Sequence, residues 1–471
     1  MTSTISDAQR LISDEESTVD PSTSPRSFLH EPRRTLTAPA LAFLFFFSVS
    51  GGPIGSEGLI SLLGPCIGLS CILFFPFIYQ IPVGLTTAEL STAFAQSGGY
   101  IHWVDAAFGR RAAFLNGYTS YLSGVTDSAL YPVMFCNYYV SAFGDPGNAG
   151  QWFIKIGFIL IWVLVVFAGK HLVGNTTLLI GCLILLPFIV FVCLGIPQVE
   201  PHRWLAGPPN DATFADFCAF CSLLYWNFSG ADQISTFASE VKNPKKTYPR
   251  AVIAGVTLVG VTYLLPLGTA AGLLDGLDKT NFTDGNFPMV GKVVGGNVLS
   301  VCMLASAWLG CCALFVTEVF EDAFLLLGMA EEHFVPVIFA YRHPTRDTPA
   351  VALFVGFVLL TCCASLNFTQ IIAVDNVFNC MSVIMELLAA VRLRYSKPDL
   401  RRPYRVPLSN RMLSISMTLP ITLSVATMCL SLFSDPTGSA TILIVSLLVV
   451  GIAGNEIRVR WYPAVNDLSA I

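Results

Sequence analysis

The sequence predicts an all-α polytopic membrane protein. Twelve transmembrane helices form a five-plus-five inverted-repeat core followed by two accessory helices. Four observations carry this expectation. Of 471 residues, 54% are hydrophobic and only 12% are charged, about half the charged share of soluble globular chains, and the mean hydropathy is +0.65. Apolar windows long enough to cross a bilayer recur from one end of the chain to the other. Counted from a cytosolic N-terminus, 22 of the 26 Lys and Arg residues fall on the inner side, and only Lys155, Arg203, Lys279 and Lys292 fall on the outer side, which is the positive-inside pattern. Finally, two spans, one five-span unit apart, are interrupted at mid-length by glycine and polar residues, as an inverted repeat with broken helices requires.

In chain order, residues 1–35 are rich in Ser, Thr, Asp, Glu and Pro and lack an apolar core. They read as a disordered cytosolic tail rather than a cleavable signal, with an acidic dileucine-like string at Asp7–Ile12. The first span covers about 37–63 and is broken at Ser50-Gly51-Gly52-Pro53-Ile54-Gly55-Ser56-Glu57. Three glycines and a proline remove side-chain packing and one amide donor, so a continuous helix is unfavourable there. Spans two to five cover about 66–92, 112–140, 152–169 and 174–195. Span six, about 213–239, carries the second break at Trp226-Asn227-Phe228-Ser229-Gly230-Ala231-Asp232. The rest cover about 250–273, 289–328, 350–366, 371–393, 412–433 and 438–457. The division is therefore a tail over 1–35, a transport core over 36–393, accessory helices over 394–457 and a short cytosolic tail over 458–471.

Several function classes are excluded or disfavoured. Without a basic domain or an aromatic platform outside the spans, there is no nucleic-acid partner. The fourteen cysteines fall mostly within apolar runs and read as small buried hydrophobes. Cys218-x-x-Cys221 lies inside a span without nearby histidines, so neither metal nor cofactor is expected. Six histidines, all at or near loops, offer no Ser/His/Asp arrangement, so no enzyme is expected. Asn281-Phe282-Thr283 sits in an expected external loop and is the glycosylation candidate.

The chemistry rests on acids within the spans. Unwound backbone at a break exposes N–H groups on one half-helix and C=O groups on the other, so it can hold charge. Glu57, Asp127 and Asp232 lie within spans, with no Lys or Arg deep enough to neutralise them. A carboxylate in low dielectric must pair, protonate or bind a cation, so these three are candidates both for an ammonium-bearing substrate and for proton coupling. Asp127 and Tyr131 are four apart and share a helix face, where a phenol ring adds cation–π attraction for an amine. Ser50, Gly51, Gly52, Gly55, Trp226, Asn227 and Phe228 complete the candidate substrate site. Glu89, Glu318, Asp322 and Asp375 are candidate gates: Glu89 near the cytosolic face, Glu318 and Asp322 at the inner half of span eight, Asp375 toward the outer side.

At these residues the chain resembles the amino acid–polyamine–organocation transporter superfamily, and more narrowly its eukaryotic proton-coupled polyamine uptake branch, which is L-type amino acid transporter-like. The strings that carry the resemblance are Ser50–Glu57, Ser123–Pro132, Ile234–Thr247, Leu326–Glu331 and Arg402–Pro407. The resemblance implies a LeuT-type fold with discontinuous helices 1 and 6, and import of putrescine and spermidine with a co-transported proton. It also implies that Gly51, Gly52 and Gly55 form the first break, and that Trp226 or Phe228 is the aromatic gate. The segment Asn227–Ala231 instead resembles amino acid carriers, which keeps arginine, lysine or ornithine transport or exchange as the alternative. Residues 175–195 contain no lysine, so the lysine that replaces sodium in some bacterial relatives is absent and coupling falls to a carboxylate. Both termini are expected in the cytosol, in the plasma membrane or, as alternatives, an endosomal or vacuolar membrane. No obligate protein partner is indicated.

Overall fold

A computed structural model describes residues 36–94, 99–168, 177–274, 282–283, 285–346, 348–435 and 437–461. Residues 1–35, with the dileucine-like string, and the glycosylation candidate Asn281 lie outside the described residues. Among the described residues the structure is helical, and its β pairing is a single bridge between Leu36 and Val241.

The helices are α1 Ala38–Val49, α2 Gly58–Ser61, α3 Gly64–Phe75, α4 Ile81–Ala93, α5 Tyr100–Phe108, α6 Arg110–Ser128, α7 Leu130–Phe143 and α8 Gly147–Ala168. They continue as α9 Thr177–Gly195, α10 Phe214–Phe228, α11 Pro244–Leu273, α12 Phe287–Glu331, α13 Ala350–Cys363, α14 Phe368–Ser396, α15 Asn410–Ser434 and α16 Ser439–Trp461. Among the described residues, eight helical stretches are long and apolar enough to cross a membrane; α1 and α13 are shorter apolar helices. Large apolar side chains such as Leu164, Leu186, Ile442 and Val449 point outward and exposed, the arrangement expected where lipid is the solvent.

Local chemistry explains the irregularities. A π-helical turn over Pro76–Gln80 joins α3 to α4, where Pro76 and Pro82 each lack an amide donor. The long α12 contains non-helical dihedrals at Gly295 and Gly296, the latter with φ +67°. The over-long eighth apolar stretch of the sequence is thus two helices meeting at a glycine pair. The sequence reading missed α5, a short amphipathic helix with Trp103 and Val104 buried.

One buried ion network fastens the end where α4 and α14 finish. Arg394 donates to both oxygens of Glu89, at 2.6 and 2.5 Å. Arg402 reaches the same carboxylate at 3.2 Å, and the Val406 amide donates to it at 2.9 Å.

Candidate functional site

The two interruptions meet in the interior. α1 stops at Ser50, whose hydroxyl donates to the Gly52 carbonyl at 3.0 Å and accepts from the Gly52 amide at 3.3 Å. These side-chain bonds replace helical ones that the turning backbone gives up. Gly52 has φ +121° and Gly55 φ +77°, a region open chiefly to glycine. The second break begins after Phe228, where the Ser229 hydroxyl donates to the Trp226 carbonyl at 2.9 Å. Gly230 has φ +85°, and a Cβ there would lie 2.2 Å from the Ser48 carbonyl oxygen. Glycine is required twice over, once by dihedral and once by the backbone of α1 pressed against it.

Beside this junction is a narrow cavity with an envelope of about 550 Å³, of which about 30 Å³ is free for the centres of water-sized molecules. That is room for roughly two waters. α1 and the breaks contribute Ser48, Ser50, Gly51, Ser229 and Gly230 to its wall. Three carboxylates from three helices also line it: Asp127 of α6, Glu318 of α12 and Asp375 of α14. No Lys, Arg or His is among the lining residues.

Each acid is held by a named donor. The Trp226 indole Nε1 donates to Asp127 Oδ1 at 2.7 Å. The Ser123 hydroxyl donates to Asp375 Oδ1 at 2.6 Å. The Tyr131 hydroxyl donates to Glu318 Oε1 in a short hydrogen bond. Ser123, Asp127 and Tyr131 recur at a spacing of four along α6 and α7, so one helix face supplies a donor, an acid and another donor. Behind them, Ser128 donates to Asp322 at 3.4 Å. A Cβ on Gly124 would fall 1.8 Å from Asp322 Oδ1, so Gly124 makes room for that carboxylate.

The structure redistributes the residues picked from sequence. Ser50, Gly51, Asp127, Tyr131 and Trp226 line the cavity; Glu57 and Asp232 do not. Fully buried Glu57 accepts from the Tyr138 hydroxyl at 2.8 Å and the Gly285 amide at 3.2 Å, so its carboxylate ties the first break to α7 and to the loop before α12. Asp232 is buried, and its Oδ1 has no hydrogen-bond partner among the described residues. Asn227 and Phe228 belong to α10 rather than to the break. The Asn227 amide donates to the Leu223 carbonyl, and the Phe228 ring packs on Phe75 and Tyr263. Of the two aromatic gate candidates, Trp226 is therefore the one at the cavity.

The gate candidates also move. Glu318 of α12 and Asp375 of α14 stand on the cavity wall itself. Asp375 shares that wall with Asp127. Glu89 is away from the cavity wall and is held by Arg394 and Arg402 in the network above.

Two features escaped the sequence reading. Asn379, on the Asp375 face of α14, accepts from the Tyr225 hydroxyl at 3.1 Å, and Tyr79 donates to Tyr225 at 2.7 Å. Lower on the same face, Ser382 receives the Asn116 amide at 2.8 Å, meets Ser120 at 2.6 Å and donates to Glu386 at 3.0 Å. The signal was present: Asp375, Asn379, Ser382 and Glu386 follow a helical four-three-four spacing, a polar stripe on an otherwise apolar span.

An acid-lined cavity beside paired helix breaks has close parallels among known proteins. Residues 40–454 match the amino acid permease family. A probable polyamine transporter of Arabidopsis thaliana is 36% identical over 449 residues, covering 94% of this chain and 88% of the relative. A polyamine transporter of rice, Oryza sativa subsp. japonica, is 37% identical over 398 residues, covering 83% of this chain and 73% of the relative. A branched-chain amino acid permease of Bacillus subtilis is 22% identical over 347 residues, covering 69% and 73%. The chain belongs to the amino acid permease family of the amino acid–polyamine–organocation superfamily.

Proposed function

We propose that this protein is a proton-coupled secondary transporter that imports polyamines such as putrescine and spermidine by alternating access. The observation that carries the reading is the convergence of Asp127, Glu318 and Asp375 on one cavity whose lining holds no positive side chain. Carboxylates gathered in low dielectric repel one another and are stabilised by a bound cation or by protons. A diamine or triamine supplies two or three ammonium groups on an apolar chain, matching acids interleaved with Tyr131, Trp226 and Tyr263. The same acids, exchanging a proton for an ammonium group, are the coupling candidates. The names of the plant relatives support the substrate class. With room for about two waters, the cavity must widen to admit a polyamine, as an occluded intermediate would.

A cationic amino acid such as arginine, lysine or ornithine is the second reading. It is favoured by the Ser50–Gly51 backbone on the cavity wall, since amides at a helix break can hold an α-carboxylate.

The fold we infer for this activity has twelve spans, α1 and α10 being the first halves of the two broken ones. The core over 36–393 is a five-plus-five inverted repeat, with accessory spans over 394–457. The basic residues favour cytosolic termini and an external Asn281. The plasma membrane is the favoured site, with an endosomal or vacuolar membrane as the alternative. Glu57 would steady the outer side of the first break, while Asp232 and Glu386 would continue the acidic path inward.

The test is uptake of radiolabelled putrescine by the purified protein in proteoliposomes. Uptake should saturate, survive replacement of sodium and fall when the proton gradient is collapsed. A strict sodium requirement removes the proposed coupling; absence of saturable uptake of any cationic substrate removes the reading.

A further inference from the structure

A second concavity lies where α11 begins and the α14–α15 connection ends. It is an open hollow of about 560 Å³ lined by Lys245, Lys246, Pro249, Arg250, Arg402, Pro403, Tyr404 and Arg405. Its five cations come from two segments some 150 residues apart in sequence, so an excess of inner basic residues does not by itself explain their gathering. The acids nearest in sequence, Glu240 and Asp399, are not among the lining residues.

One wall of this concavity is fixed by the buried network. Glu89 is a single carboxylate set between two guanidiniums, those of Arg394 and Arg402, which leaves one positive charge uncompensated. Arg402 is held further by the carbonyls of Leu393 at 2.8 Å and Leu400 at 3.0 Å. The Tyr404 amide donates to Thr92 Oγ1 at 3.2 Å, and Arg405 donates to the neutral Asn410 side chain at 3.0 Å. Lys245, Lys246 and Arg250 are exposed and enter no ion pair among the described residues. α11 starts at Pro244, so the positive end of its dipole lies in the same wall. The apolar run of that helix follows directly at Ala251, so a bilayer spanned by this helix would place Lys245–Arg250 near the lipid headgroups.

We propose that this concavity binds a multiply phosphorylated anion, presented as the headgroup of an inositol phospholipid in the adjoining leaflet. Cations clustered beside the start of a span, on a wall pinned from within, suit several phosphates on one ring better than a single charge. The site is separate from the acid-lined cavity and carries no transport chemistry. Through the network it touches the ends of α4 and α14, and α14 carries Asp375.

The test uses full-length protein in nanodiscs, where both faces are accessible and the orientation assigned above does not matter. Binding of phosphatidylinositol bisphosphate is compared with phosphatidylserine at equal charge and with soluble inositol trisphosphate. The lipid should bind more tightly than either. The variant Lys245→Gln/Lys246→Gln/Arg250→Gln should lose at least roughly tenfold in affinity, while its melting temperature and spermidine binding stay unchanged. A control with the same charge loss, Arg111→Gln/Arg346→Gln/Arg411→Gln, should bind like the wild type. Equal losses in both variants, or equal binding of phosphatidylserine, would overturn the site. Soluble inositol trisphosphate binding as tightly as the lipid would overturn the membrane source. Because the readout is binding, it stands or falls apart from the transport assignment.

Discussion

The indole nitrogen of Trp226 lies 2.7 Å from the Asp127 carboxylate and joins the last turn of α10 to the middle of the α6–α7 pair. The bond fixes one acid of the cavity from the element that breaks two residues later. Under the proposed alternating access, movement of the second break would be transmitted through this bond to Asp127.

Replacing Trp226 by Phe keeps an aromatic ring but removes the donor. A hydrogen bond to a charged group is worth about 1.5–3 kcal/mol, so spermidine should bind at least roughly tenfold more weakly, with the fold intact by melting temperature. Competition binding on detergent-solubilised protein reads this; wild-type affinity in the variant would mean that the bond does not orient Asp127 for substrate.

Glu89 has the opposite character. Both Glu89 and Arg394 are almost completely buried, and removing one partner of such a pair typically costs about 3–5 kcal/mol because the other charge is stranded. Glu89→Gln should lower the melting temperature sharply while leaving the substrate preference of the surviving folded protein unchanged. The double change Glu89→Leu/Arg394→Met should be less damaging than Glu89→Gln alone. A stable Glu89→Gln with altered selectivity would return this acid to the list of gates.

Much of this architecture was legible in the sequence. The apolar windows coincide with the helices, and the two glycine-bearing interruptions fall where α1 and α10 stop. Such features are local: a helix ends because its own residues cannot continue it. The i, i+4 pairing of Asp127 with Tyr131 was readable for the same reason. What stayed hidden was rotational phase. Nothing local says that Glu318 and Asp375, nearly sixty residues apart, point at one space while Glu57 points at Tyr138. Nor does the sequence say that Glu89 meets an arginine more than three hundred residues away. Those relations depend on how helices pack side by side, and only the polar stripe of α14 hinted at them.

Orientation gives another check. With the termini in the cytosol, a single cysteine placed at position 281 in an otherwise cysteine-free protein should react with an impermeant reagent added outside intact cells. One placed at Lys246 should react only after the membrane is opened. The reverse pattern would invert the topology and move the basic concavity to the outer face.

If Asp127, Glu318 and Asp375 select an ammonium-bearing substrate, isosteric neutralisation of each will weaken its binding. Asp127→Asn, Glu318→Gln and Asp375→Asn each keep shape while removing a counter-charge. Loss of one partner from a buried charge pair costs roughly 3–5 kcal/mol, and each 1.4 kcal/mol is about tenfold in affinity. Displacement of labelled putrescine by spermidine, arginine, lysine and leucine would be measured on the wild type and on the three variants. Spermidine should displace best in the wild type, leucine should fail, and each variant should bind putrescine at least roughly tenfold more weakly. Wild-type affinity in all three variants, or leucine displacing putrescine better than either spermidine or arginine, would contradict selection by these carboxylates.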